Sequence, residues 1–238
     1  MLLVLLDAFH LGDPLFVSQL ARDVAARKEG LVFVHGSGEA GERALEGRGV
    51  FPEARAGVWV TATPDEAAEV ERATRDLNRR LVHEMNEAGV PAIRARAADR
   101  GLVVPDEAGG VRAGQTAWLS RLVGQGGVAV VASLVAAPGA VPGTAALVEV
   151  DAAQTAAVLA GALGAEAVVV LVTGRAAGIA GQDGVRLHAP LADAEAGGTL
   201  PDGPLVRRLV EVATVPVRAV SAASVRTPGA PAGTLLRL

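Results

Sequence analysis

Four short runs rich in valine and leucine, residues 2–6, 31–35, 128–133 and 167–172, constrain the fold of this chain more than any other feature. A strand with one face in water alternates polar and apolar residues. A run without a polar face is covered on both sides, the condition of a parallel sheet between two layers of helices. Segments of helical length lie between the runs, at 14–28, 41–46, 64–88, 115–123, 152–163 and 204–212. The alternation predicts an α/β fold.

Composition narrows the function classes. In 238 residues, 50% are apolar, ample material for a buried core. Cysteine is absent, so disulfides, thiolate metal sites and cysteine nucleophiles are excluded together. The formal charge of −4, with four Phe, two Trp and no Tyr, argues against nucleic acid as a partner. Lys28 is the sole lysine; arginine supplies every other basic side chain. Met1 to Leu6 is apolar, but Asp7 follows at once and no basic leader precedes it, which fits a buried first strand and a cytoplasmic protein better than a signal peptide. The apolar run at 128–137 is too short for a bilayer and is broken by Pro138 and Gly139, so no membrane span is expected.

The clearest helix start is Thr63-Pro64-Asp65-Glu66, with Thr at the N-cap, Pro at the first helical position and Glu three residues beyond the cap. It predicts a helix of about 25 residues, whose charged positions Glu69, Glu71, Arg72, Arg75, Arg79 and Arg80 read as a solvated or subunit-facing surface. Residues 101–114 read as a small hairpin, and 138–144 and 176–203 as Gly/Pro/Asp-rich loops. His10 and His188 lie in loop-like sequence. No composition shift divides the chain, so residues 1–238 are expected to form a single domain.

The glycine loop His35-Gly36-Ser37-Gly38-Glu39-Ala40-Gly41 joins an apolar run to a helix-like pattern, an arrangement that can present backbone N–H groups to a phosphate. Its other reading is a tight strand-to-helix turn that needs glycine for its dihedrals. A dinucleotide fold would place an acid about 20 residues on, at the end of the next strand. The sequence "GVWVTATPDE" has its first acid only at Asp65, in a helix start. The four histidines share no metal-ligand spacing, and Ser37 is out of register for a nucleophile elbow. A phosphate loop ending in G-K-[ST] is absent.

Five segments in order resemble the amino acid kinase family of acetylglutamate kinase and the carrier-protein-linked aminoadipate kinase. "LVFVHGSG" resembles the family's strand and H-G-G-G loop, and "RDLNRRLVHEMNEAGVPAI" its long helix and following strand. "VEVDAAQTAAVLAGALGAEAVVVLVTG" resembles the N-x-N-x-D helix and its strand, "GGTLPD" the late G-G-M-x-x-K turn, and "PAGTLLRL" the terminal strand. The resemblance implies a three-layer α/β/α sandwich with a mostly parallel central sheet. Residues 1–135 would be the substrate and dimer side, and 136–238 the nucleotide side. It further implies a homodimer through the long helix and a place in amino-acid biosynthesis.

Carried over position by position, the resemblance places Leu5, Leu6, Asp7 and Ala8 where the family has K-x-G-G, and Ala153 at its catalytic-site aspartate. Asp202 stands at its second lysine, Trp59 at its substrate arginine, and Glu149 and Asp151 at its asparagine pair. Gly36, Ser37, Gly38 and Thr173 fall at nucleotide-contact positions. No catalytic residue is therefore expected, and MgATP is the cofactor only if nucleotide binding is retained. The expected function is a non-catalytic ligand-binding, accessory or regulatory protein whose partner is a small molecule or a related kinase or carrier protein. The alternative is an active ATP-dependent kinase of a small carboxylate or amino acid, using arginines such as Arg175 or Arg207 and a metal ion on Asp151 or Asp202.

Overall fold

The computed structural model describes residues 1–106, 109–137, 146–172, 188–190, 200, 202–227, 229 and 233–238. The first half opens with β1 (Leu2–Leu6), α1 (Ala8–Gly12), α2 (Pro14–Ala25), β2 (Leu31–His35) and α3 (Glu39–Glu46). A hairpin of β3 (Ala54–Arg55) and β4 (Val58–Trp59) leads into α4 (Pro64–Glu87) and β5 (Ala92–Arg96). Next come the hairpin β6 (Val103–Pro105) and β7 (Val111–Ala113), α5 (Ala117–Gly124), β8 (Val128–Ala132) and the antiparallel pair β9 (Leu134–Ala136) and β10 (Leu147–Glu149). The second half adds α6 (Ala152–Leu163), β11 (Val168–Val172), β12 (His188–Pro190), α7 (Gly203–Val212), β13 (Val217–Ser221) and β14 (Thr234–Arg237).

Eight strands form one sheet in the order β12-β14-β13-β11-β1-β2-β8-β5. The six from β13 to β5 run parallel, while β14 runs against β13 and carries β12 with it. Residues 1–135 and 136–238 thus supply opposite ends of a single sheet. Side chains alternate across it with the strand period of two. Leu2, Val4, Phe33 and Val130 pack on one face with Val17 and Leu20 of α2 and Leu77, Leu81 and Met85 of α4. Leu3, Leu5, Val32 and Val131 pack on the other with α5, α6 and α7. The apolar runs lack a polar face because both faces are covered, and the architecture is the expected three-layer α/β/α sandwich.

Helix α4 begins as its sequence specifies: Thr63 accepts the Glu66 N–H at 3.2 Å, and the Glu66 carboxylate reaches back to the Ala62 N–H at 2.6 Å. Its buried residues Val70, Thr74, Leu77, Leu81 and Met85 recur at three- and four-residue intervals, the stripe of a helix laid on a sheet. Most of its charges pair along its own surface, as in Arg72 with Glu69 and Arg79 with Asp76. Arg80 is exposed as expected, and its guanidinium also donates to the Leu11 carbonyl at 2.7 Å, tying α4 to α1.

Several local expectations are corrected. His10 is not in a loop but in α1, which is too short to show a helical period. His188 lies in β12. The hairpin β3–β4 and strand β13 left no readable pattern, their strands being two residues long or interrupted by Arg218. Helix α3 starts two residues earlier than expected, at Glu39. The expected loop at 138–144, and 176–203 apart from residues 188–190, 200, 202 and 203, fall outside the described residues. Among the described residues, no helix is long and apolar enough to cross a membrane.

One close approach fixes where β2 enters the sheet. A Cβ on Gly30 would collide with the Val123 carbonyl oxygen and stand 2.7 Å from that of Gly127, backbone that cannot swing away. Gly30→Ala is expected to cost about 2–3 kcal/mol, the range of overpacking in a closed core. Thermal melting would read this as a lowered midpoint, and an unchanged midpoint would mean that α5 can shift.

Candidate functional site

At the C-terminal ends of β1 and β2, where parallel sheets usually bind ligands, lies a cavity of about 440 Å³. Its lining comes from elements distant in sequence: Leu6, Ala8 and Leu11 after β1, Gly36 and Gly38 after β2, Trp59 from the β3–β4 hairpin, Glu149 from β10, and Asp202, Leu205 and Arg208 from α7. The size lies within the range of small-molecule sites.

The glycine loop is built for close approach. Gly38 has φ +52°, a left-handed conformation that disfavours any Cβ. A Cβ on Gly36 would stand 3.0 Å from a Glu149 carboxylate oxygen. That carboxylate is the loop's occupant. The Ser37 backbone N–H donates to Oε1 of Glu149, and the Ser37 hydroxyl donates to Oε2 at 2.9 Å. The Ser37 N–H therefore already holds an acid of the chain itself. Burial pushes Glu149 up to about 7, opposed by the two hydrogen bonds from Ser37 and raised further by nearby Asp151.

Behind the loop, His35 is fully buried. Asn78 donates from Nδ2 to the Val130 carbonyl at 2.9 Å and lies 2.9 Å from Nε2 of His35, so Nε2 is the acceptor and the ring proton sits on Nδ1. Nδ1 donates to the Gly36 carbonyl at 2.8 Å. Burial, against that one hydrogen bond, lowers its pKa to about 4 and keeps the ring neutral. Its role is to brace the loop. Trp59 adds a second brace, its indole N–H donating to the Gly38 carbonyl at 3.1 Å.

Three aspartates around the site cap helices. Asp7 caps α1, accepting the His10 N–H at 2.9 Å, and its other oxygen lies 2.6 Å from Nδ1 of His10. Asp151 caps α6 by accepting the Ala153 N–H at 3.0 Å, and its second oxygen accepts from Nε of Arg208 at 3.1 Å. Asp202 caps α7 by accepting the Leu205 N–H at 3.0 Å. Burial raises its pKa, and the carboxylates of Asp7 and Asp151 add to that shift while the Leu205 N–H and Arg208 oppose it. Among the described residues, Arg208 is the one cation lining the cavity, beside Glu39, Glu42, Glu149 and Asp202.

The sequence-derived positions thus divide. Gly36, Gly38, Trp59, Glu149 and Asp202 line the cavity; Ser37 holds Glu149 from behind it. Leu5 is buried within β1, and Ala153 is buried in the first turn of α6. Asp151 is buried and turned to its helix cap and to Arg208 rather than forming part of the lining. Thr173 and Arg175 lie outside the described residues. Arg208 and Asn78 were not legible as site residues: Arg208 falls in none of the quoted segments, Asn78 lies in one that was read only as a helix, and both act through partners more than 40 positions away.

Comparison with solved structures agrees on the fold. N-acetylglutamate synthase from Neisseria gonorrhoeae, complexed with coenzyme A and N-acetyl-glutamate, superposes with a TM-score of 0.68 at 19% identity, covering 100% of this chain and 59% of the synthase. The protein smu.665 of Streptococcus mutans UA159 gives 0.66 at 18% identity, covering 99% of this chain and 98% of its own. Giardia carbamate kinase gives 0.59 at 12% identity, covering 99% and 98%. No curated protein matches the chain by sequence. The family profile of the amino acid kinases matches residues 9–174, well over half of the chain. On that match, the chain belongs to the amino acid kinase family.

Proposed function

We propose that this protein is a non-catalytic member of the family, a ligand-binding accessory or regulatory protein in which the phosphate cradle is closed by Glu149. The observation that carries the proposal is the pair of hydrogen bonds from Ser37 to the Glu149 carboxylate. A phosphoryl group needs those donors and, at the transition state, cations at its oxygens. The sole lysine, Lys28, precedes β2, whereas the glycine loop follows it. Five residues of strand put about 16 Å between them. Asp202 and Glu149 stand at the cleft where triphosphate oxygens would be repelled.

The alternative, a working kinase with a metal ion on Asp151 or Asp202, competes with the duties those carboxylates already have: both cap helices, and Asp151 also holds Arg208. A ligand suited to the cavity presents apolar surface to Leu6, Leu11 and Leu205, and hydrogen-bond donors or positive charge to the acids. The proposal extends to a homodimer through α4, with residues 1–135 as its dimer side and 136–238 as the former nucleotide side. A role in amino-acid biosynthesis rests on the likeness to N-acetylglutamate synthase.

The test is calorimetric titration of the purified protein with MgATP into the millimolar range, paired with thermal melting. No saturable heat and no stabilisation are expected. Saturable binding with a rise in melting temperature, which mass action requires of any ligand that binds the folded state, would return the kinase reading to first place.

A further inference from the structure

A second cavity, of about 310 Å³, lies beyond the glycine loop, between α4 and the exposed end of the edge strand β5. Arg75, Asn78, Arg94, Arg96 and Asp99 supply its polar lining. The strand period explains the convergence. Arg94 and Arg96 share the sheet face of Ala92, the face that α4 covers, and alternate with Ala95 on the other. Where α4 extends past its apolar stripe, Arg75 meets them across the gap.

We propose that this cavity is a binding site for a compact oxyanion ligand, a phosphate monoester or a small di- or tricarboxylate. Three guanidinium groups around one cavity repel one another, and the nearby acids pair with two of them, leaving the charge of Arg94 in excess. Arg96 donates from Nε and Nη2 to a single oxygen of Asp99, at 2.9 and 2.7 Å, and Arg75 reaches Glu71 through Nε at 3.3 Å. The guanidinium of Arg94 has no hydrogen-bond or ion-pair partner among the described residues. Arg100, set 5.6 Å over the Trp118 ring, adds a further cation on the other flank of Arg94. Such clustering on a chain of net charge −4 focuses a positive potential on one concave place. Planar guanidinium forks match carboxylate and phosphate oxygens two at a time. The volume suits a ligand at the small end of the usual range.

This site is separate from the cleft and stands whether or not the cleft binds nucleotide. Its floor residue Asn78 spends both amide protons on Val130 and His35, so the hydrogen bonds to an oxyanion come from the arginines.

The test is titration of the purified full chain with inorganic phosphate and, separately, citrate at low ionic strength, following heat and the amide shifts of residues 94–99. Saturable binding of at least one probe is expected, weakened about ten- to hundredfold in Arg94→Ala, as for loss of a charge-assisted contact. Preference between the probes tells a phosphate site from a carboxylate site. Arg94 is exposed, so its replacement leaves the fold intact, and an unchanged melting temperature in the variant would verify this. Absence of saturable binding for both probes, or affinity unchanged in Arg94→Ala, would overturn the proposal.

Discussion

Glu149→Gln is expected to stabilise the protein at pH 8 by about 3 kcal/mol and to leave its stability near pH 4.5 unchanged. The folded protein raises Glu149 from 4.5 to about 7. A raised carboxyl binds its proton more tightly in the folded state, so its contribution is fully present below the unfolded pKa and is lost as pH rises through 7. Each tenfold gain in proton affinity on folding corresponds to about 1.4 kcal/mol, which sets the magnitude. Glutamine keeps the shape, accepts the Ser37 N–H, and never ionises. His35 acts in the opposite sense: lowered from 6.5 to about 4, it stabilises above pH 6.5 and loses that contribution as pH falls through 4. The two slopes oppose each other in the wild type between pH 4.5 and 6.5, so the variant should expose the acid-side loss due to His35. Urea denaturation of both proteins across pH 4.5–8 measures this directly. A stability difference that does not vary with pH would mean that Glu149 is not the half-buried, loop-bound acid described above.

The second large effect lies far from the cleft. Arg27, whose side chain is 1% exposed, ties the end of α2 to the segment before the last strand. Its Nη1 donates to the carbonyls of Val225, at 3.2 Å, and Thr227; its Nη2 donates to Gly229 at 3.1 Å and to Glu29 at 2.6 Å. Glu29 in turn accepts the Gly229 N–H at 2.8 Å. Arg27→Met removes the donor for three carbonyls and the partner of one carboxylate, while filling part of the space. The expected loss is about 3–5 kcal/mol, the scale for breaking a buried charged network on one side. Limited trypsin digestion should then cut at Arg226 much faster than in the wild type, because that exposed bond is held by the tether to α2 and must detach locally to enter a protease. A small loss of stability with unchanged digestion would show that β14 holds this segment without the arginine.

How much of this was legible beforehand depended on the range of each interaction. The runs at 2–6, 31–35, 128–133 and 167–172 became strands within a residue of their expected ends, because burial on both faces leaves a continuous apolar signature. Helix α4 was readable to its first turn, since its cap residues contact each other within four positions. Short pieces such as α1 and the β3–β4 hairpin were not, because five residues or fewer hold no period to detect. The absence of lysine from the cleft also followed from sequence alone: Lys28 is the only one the chain contains.

What Glu149 does could not be read in this way. As a residue it is one acid two positions from Asp151, with nothing in the local sequence to say what it contacts. Its contact with Ser37 spans 112 positions, and it forms because β10 brings that carboxylate to the C-terminal end of β2. The same holds for the arginines of the second cavity, which lie on α4 and β5 and converge only when the helix packs across the sheet. Local patterns of burial and capping determined which segments are strands and helices, and the residue inventory determined that the chain has no cysteine and a single lysine. The tertiary structure decided which charges meet, since that depends on the order and packing of strands, for which no short-range signal in the chain exists.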